Sequence, residues 1–235
     1  MTPWNKESLD FLEGQLILID KPYGWTSFDA VKKVRYLIRK KLDLKKIKVG
    51  HAGTLDPLAT GLLVIATGRF TKKIDELMDL EKRYTGTITL GASTPSFDLE
   101  TEEDQFFEYT HLTQEELITA KSSLSGTQDQ VPPIFSAKKV NGRRAYTLAR
   151  AGKPVELKSK AVEIKSFDIT DIRLPHICFD IKCTKGTYIR SIARDMGLEL
   201  NNGAHLTSLR REGIGSYEVS KAFTPESFEH CLTSL

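Results

Sequence analysis

The segment GHAGTLDPLATG at residues 50–61 holds the side chains best placed for chemistry. Its three glycines, Gly50, Gly53 and Gly61, let the backbone turn sharply and come close to a ligand. Pro57 drives Asp56 toward extended geometry and stiffens the placement of its carboxylate. One acid is thus displayed from a rigid loop that runs straight into the apolar stretch 62–66. A carboxylate in that position can act as a nucleophile or take a proton. No G-K-[ST] follows, so this is not a phosphate-binding P-loop. On spacing alone, a turn-capping aspartate beside a proline is the stronger reading. Five scattered histidines and three cysteines without C-x-x-C spacing give zinc chemistry and a disulfide framework no support.

The elements around this loop can be read from periodicity and caps. QLILID (15–20) predicts a short buried strand, and KPYGWTS is a turn that ends at an N-cap, Thr26 or Ser27. Ala30, Val31, Val34, Leu37, Ile38 and Leu42 recur at helical spacing and predict a helix over 27–42. KVGHAGTLDPLATG reads as loop throughout, followed by a buried strand, LLVIATG. Residues 71–79 predict a short helix, and KRYTGTITLGA alternates as a half-buried strand. The stretch 93–110 reads as an exposed acidic loop, and Thr113 with Glu116 forms a capping box that opens a helix through about residue 124. Residues 127–142 are punctuated by Pro and Gly and read as a long excursion, a kind of loop that is more often functional than ornamental. RRAYTLARAG predicts a short basic helix ended by Gly152. Strands around 161–174 and 177–183 precede a helix opening near Thr187. With no internal repeat and no composition break, a single mixed α/β or α+β domain is expected.

Composition sets outer bounds. At 235 residues, 40% hydrophobic and 28% charged, the chain is long enough for a full core and is neither collagenous nor low in complexity. Its apolar runs fall far short of the ~20 residues a membrane helix requires. MTPWNKESLDFLEG contains no apolar run, so no secretory signal is expected and a reducing cytoplasm is the simple compartment. The net charge of +3 hides a strong segregation. Residues 31–50 hold nine Lys/Arg against one acid, and 127–160 hold eight against two. Residues 97–120 hold eight acids and no Lys or Arg. Each basic block alone reads as a solvated face. Together they could follow a phosphate backbone, which would put the acidic block on another face.

GHAGTLDPLATGLL closely resembles the catalytic loop of the tRNA pseudouridine synthase B family. The same family is resembled by LILIDKPYGWTS (16–27), KRYTGTITLG (82–91), VPPIFSAKKVNGRRAYTLARAG (131–152), CTKGTYIRSIARDMG (183–197) and GAHLTSLRR (203–211). Six motifs stand in register from about residue 15 to 220.

The resemblance implies an α+β pseudouridine synthase fold, a mixed and mostly antiparallel sheet flanked by helices and cut by a basic central cleft. It also implies conversion of one tRNA T-loop uridine, position 55, to pseudouridine without metal or cofactor. Asp56 matches the catalytic aspartate, and Arg190 matches the arginine that pairs with it and would hold it ionised. Tyr84 matches the tyrosine on the target base and is a candidate for moving the carbon-5 proton. Tyr188 and Leu209 resemble further base contacts, and His51 a histidine touching flipped nucleotides. Lys21 and Pro22 stand in the family's KP-x-G-x-TS motif and read mainly as supports beneath the site, with Lys21 also able to touch phosphate. Residues 127–152, with Lys138, Lys139, Arg143 and Arg144, resemble an RNA-clamping insertion. The chain is expected to be a single catalytic domain spanning 1–235, a short form without the family's C-terminal PUA domain. It is also expected to work as a cytoplasmic monomer on tRNA, away from membranes. A rival reading is a non-catalytic RNA-binding or tRNA-folding protein on the same fold. Such a protein would have no need of Asp56 and Arg190 together.

Overall fold

The computed structural model describes residues 10–136, 138–140, 142–152, 154 and 157–234, leaving out the side chains of Lys139, Val140, Arg144 and Tyr146. In chain order the elements begin β1 (Leu16–Lys21), α1 (Ser27–Lys41), β2 (Val49–His51), β3 (Thr60–Thr67), α2 (Ile74–Asp79) and β4 (Lys82–Leu90). They continue with β5 (Ala92–Ser93), β6 (Gln105–Phe106), α3 (Gln114–Ser123), β7 (Gly126–Gln130), β8 (Lys139–Val140), β9 (Arg143–Arg144) and α4 (Ala145–Arg150). Last come β10 (Lys160–Arg173), β11 (His176–Cys183), α5 (Ile189–Glu199), β12 (Ala204–Ile214), β13 (Tyr217–Glu218) and α6 (Pro225–Ser234). The chain forms two compact units, 1–84 with 209–235 and 85–208, the divisions falling inside β4 and β12.

In the first unit β1 runs antiparallel to β3 from Leu16↔Ala66 to Lys21↔Gly61. β2 also lies antiparallel on β3, and β12 meets β3 in parallel at Arg210↔Thr60 and Arg211↔Gly61. β3 is buried on both faces, which is why it reads as an unbroken apolar run rather than an alternating one. On one face Ile17, Ile19, Leu63 and Ile65 pack against Val31, Val34 and Ile38 of α1 and Phe228 of α6. On the other, Leu62 and Val64 meet Ala52, Leu77 and Ile214. α1 starts at the expected cap: Thr26 and Asp29 form a reciprocal capping box.

In the second unit β10 and β11 form a long antiparallel hairpin, with β7 along the other edge of β10. α3 rests on β10 and α5. Its capping box, Thr113 with Glu116, is formed as expected.

Several expectations are corrected. The start of the 127–142 excursion belongs to strand β7, and Arg143 and Arg144 lie in β9 rather than in the helix that follows. β2 occupies part of the segment read as loop. β4 does not alternate strictly, because Ile88, Thr89 and Leu90 are all buried. The acidic stretch is not uniformly exposed, since Thr94, Ser96 and Asp98 are buried. α5 opens at Ile189 with Tyr188 as N-cap, in keeping with the helix expected near Thr187.

Candidate active site

Asp56 sits in a turn fixed on both sides. The amide of Ala59 donates to the Asp56 carbonyl at 3.1 Å, with Pro57 at the second position that such turns favour. On the N-terminal side, Ser27 Oγ accepts the Leu55 amide at 2.8 Å and donates to the Leu55 carbonyl at 3.0 Å. On the C-terminal side, the Pro57 carbonyl accepts the Gly24 amide at 2.9 Å and Lys21 Nζ at 3.4 Å. Leu55 and Ala59 are buried while Asp56 is half-buried. The KPYGWTS turn and the first residue of α1 therefore hold the loop from beneath and leave the carboxylate at its edge. Gly61 is required here: its φ is +102°, and an added Cβ would lie 2.3 Å from the Arg211 carbonyl oxygen.

Strand alternation explains Lys21. After Ile17 and Ile19 it takes the next inward position of β1 and is completely buried. Its ammonium donates to the carbonyls of Trp25 at 2.7 Å and Pro22 at 3.0 Å. Burial pulls its pKa down to about 8, with Asp56 opposing that fall and the Arg211 charge adding to it.

Arg211 escaped the sequence reading. It is 1% exposed, and its guanidinium donates to the carbonyls of Leu62 at 2.7 Å and Gly53 at 3.1 Å. It thereby ties both arms of the loop to β12. Beside it Arg210 forms a two-pronged ion pair with Asp20, at 2.7 and 3.0 Å. His51, at the start of the loop, is half-buried, and its Nδ1 has no hydrogen-bond partner among the described residues. Burial, and then the Arg211 charge, lower its pKa against a raising contribution from the Gly53 backbone. Its imidazole is therefore neutral at neutral pH. Tyr84 is buried at the end of the unit, in β4, and Leu209 is half-buried in β12.

Arg190 and Tyr188 belong to the second unit. Gln130, at the end of β7, holds the backbone of Tyr188 with its side-chain amide: Oε1 accepts the Tyr188 amide at 2.8 Å and Nε2 donates to the Tyr188 carbonyl at 3.1 Å. Arg190, 3% exposed, donates to the carbonyls of Ser96 at 3.2 Å and Phe135 at 3.0 Å. Its Nε lies 3.6 Å from Asp98 Oδ2, a buried ion pair that the sequence reading did not foresee. The Asp98 carbonyl is itself fixed by hydroxyl donors from Thr94 and Ser96.

Of the proposed clamp, Arg143 is exposed in β9, and Lys138, just before β8, is half-buried. The side chains of Lys139 and Arg144 lie outside the described residues. Arg150 pairs with Glu100, so the basic and acidic blocks touch and the expectation of separate faces is corrected. No group of three metal-ligating side chains occurs among the described residues. Nor is any described helix long and apolar enough to cross a membrane.

The fold is shared with solved structures that contain Cbf5. A chain of a Cbf5-Nop10-Gar1 complex superposes with a TM-score of 0.69 at 25% identity, over 94% of this chain and 54% of that one. A chain of an archaeal box H/ACA sRNP Nop10-Cbf5 complex gives 0.67 at 23% identity, over 96% and 56%. This chain thus spans about half the length of each. The architecture is that of the pseudouridine synthases. Within that class, the chain belongs to the TruB family of pseudouridylate synthases, whose N-terminal-domain model matches residues 39–189. It is 54% identical to tRNA pseudouridine synthase B of Flavobacterium johnsoniae, over 95% of this chain and 98% of the relative. The protein of the same name from Chloroherpeton thalassium is 53% identical, over 90% and 88%.

Proposed function

We propose that the protein isomerises a tRNA T-loop uridine, at position 55, to pseudouridine. The glycosidic bond from ribose to N1 breaks, the freed uracil turns, a bond from ribose to C5 forms, the C5 proton leaves, and N1 takes up a proton, so that the atoms of substrate and product balance. Asp56 carries this chemistry, as nucleophile toward sugar or base or as acceptor of a sugar proton. The observation that carries the reading is the Asp56 turn, held by bonds at Leu55 and at Pro57. Such holding keeps a reactive group in near-attack geometry, where even small displacements are costly.

Arg190 supplies a permanent positive charge toward the catalytic carboxylate, a role that suits a guanidinium already fixed by two carbonyls and Asp98. Tyr84, Tyr188 and Leu209 hold the detached base, and Tyr84 is the candidate for moving the C5 proton. His51, neutral at neutral pH, contacts the nucleotides displaced with the target. Extruding the uridine costs a few kcal/mol, which contacts to the RNA backbone must offset. Residues 127–152 serve as that clamp within one catalytic domain. The enzyme is placed in the cytoplasm, acting as a monomer on tRNA.

The test is to incubate the protein with an unmodified tRNA transcript and map pseudouridine at base resolution. A single site in the T-loop is expected, absent when that uridine is replaced by cytidine. Tight tRNA binding with no pseudouridine anywhere would overturn the reading in favour of a non-catalytic RNA-binding protein.

A further inference from the structure

Gln130 is the one buried residue of β7 and is 2% exposed. A buried side-chain amide must find partners for both its donor and its acceptor. β7 itself is held by backbone pairing with β10, from Gln130↔Lys160 to Gly126↔Ile164, so the Gln130 side chain is left to bond elsewhere. Both of its bonds go to Tyr188: Oε1 accepts the amide at 2.8 Å and Nε2 donates to the carbonyl at 3.1 Å. The peptide groups before and after Tyr188 are thereby fixed by one side chain.

The bonding answers a need at the start of α5. Tyr188 is the N-cap, and its side chain makes no capping bond. Caps are usually Ser, Thr, Asp or Asn, whose side-chain oxygens hold the first turn. Here the Tyr188 carbonyl accepts the amides of Ser191 at 3.1 Å and Ile192 at 3.2 Å, and Gln130 steadies that carbonyl from outside the helix. The residues after Gln130 repeat the grip. The Val131 carbonyl accepts Ser191 Oγ at 2.8 Å, and the Phe135 carbonyl accepts Arg190 at 3.0 Å. Between them lie Pro132 and Pro133, both buried, whose rings fix the backbone φ. A stiff stretch, 130–135, therefore holds residues 188, 190 and 191 of the same compact unit. That stretch runs straight on into the rest of the segment proposed to hold RNA.

We infer that Gln130 is a positioning residue for the reaction, tying the RNA-holding segment to the start of α5 so that Tyr188 and Arg190 keep one orientation toward the target uridine. The inference rests on the proposed isomerisation. Gln130 acts through the backbone of Tyr188, so its loss is felt as misplacement, which slows the chemical step.

The test measures single-turnover pseudouridine formation at saturating tRNA, with tRNA affinity in parallel, for wild type, Gln130→Met and Gln130→Glu. Gln130→Met keeps the length of the side chain and removes both bonds. Its rate is expected to be at least about tenfold slower, since small misplacements at a site are costly. Its affinity is expected within about twofold of wild type, because phosphate contacts dominate RNA affinity. Gln130→Glu still accepts the Tyr188 amide, and a helix N-terminus favours its negative charge, but it cannot donate to the carbonyl. Its rate is expected between those of Gln130→Met and wild type, and it carries the test alone should Gln130→Met fold poorly. A wild-type rate in either variant would overturn the inference. Rate and affinity falling together would also overturn it, assigning Gln130 to the shape of the RNA-holding segment. Wild-type protein that makes no pseudouridine overturns the proposed reaction and this inference with it, whereas an active wild type matched by Gln130→Met removes the role of Gln130 alone.

Discussion

Ser27 Oγ is bonded to both backbone polar groups of Leu55, accepting its amide at 2.8 Å and donating to its carbonyl at 3.0 Å. The hydroxyl that opens α1 thus fixes the residue immediately before Asp56. Both partners are buried, so neither bond can be replaced by bulk water at no cost.

Ser27→Ala is therefore expected to lose about 1–3 kcal/mol of stability, the range for leaving buried backbone groups unsatisfied. Its kcat on tRNA should fall roughly tenfold or more, with KM little changed, because Asp56 loses its fixed placement. Denaturant melts and steady-state kinetics check both, and a KM effect alone would assign Ser27 to RNA binding instead.

Lys21 links folding to pH. Its pKa is about 8 in the folded protein and 10.5 ordinarily. Below pH 8 folded and unfolded chains both hold the proton, so the folded state carries the full cost of burying the ammonium. Between pH 8 and 10.5 the folded chain releases the proton while the unfolded one keeps it, so stability rises with pH. Relative to Lys21→Met, wild-type protein should gain on the order of 3 kcal/mol across that window. A difference between the two that is flat with pH would contradict this.

Arg211→Met removes the tie from Gly53 and Leu62 to β12, with an expected loss of about 2–4 kcal/mol as two buried carbonyls lose their donor. Because the Arg211 charge helps to depress the His51 pKa, that pKa should rise toward 6.5 in the variant. Proton NMR of the His51 ring reads the shift directly.

Asp98→Asn removes the buried carboxylate 3.6 Å from Arg190 Nε, and about 1–3 kcal/mol should be lost. Asp98→Asn combined with Arg190→Met should cost less than the two changes summed, since either change alone already removes the contact the two side chains share. Additive losses would show that the pair at 3.6 Å contributes no coupling.

What the sequence revealed was largely local. α1 was legible because its apolar spacing and its cap are written within 16 consecutive residues, 26–41. β7 was not, because GTQDQ has little strand character of its own and is extended by pairing with β10, from Gln130↔Lys160 to Gly126↔Ile164. β2 was hidden for the same reason, three residues in a glycine-rich stretch that β3 recruits. The motifs located Asp56 and Arg190 but not what holds them. Nothing in LTSLRR says that Arg211 is buried while Arg210 reaches Asp20, since that follows from which face of β12 meets the loop. Asp98 was hidden in an acidic run read as solvent-facing. It is buried where its carboxylate meets Arg190 and the Glu100 amide, partners that no local pattern reveals.

The most direct measurement replaces Asp56 with Asn and follows pseudouridine in an unmodified tRNA transcript at base resolution, with RNA affinity measured in parallel. The Asn side chain has nearly the same shape as Asp and leaves the bonds at Leu55 and Pro57 in place. Binding should therefore match wild type while T-loop pseudouridine falls below detection. Pseudouridine formed by the variant at a rate near that of wild type would contradict the assignment of the chemistry to Asp56.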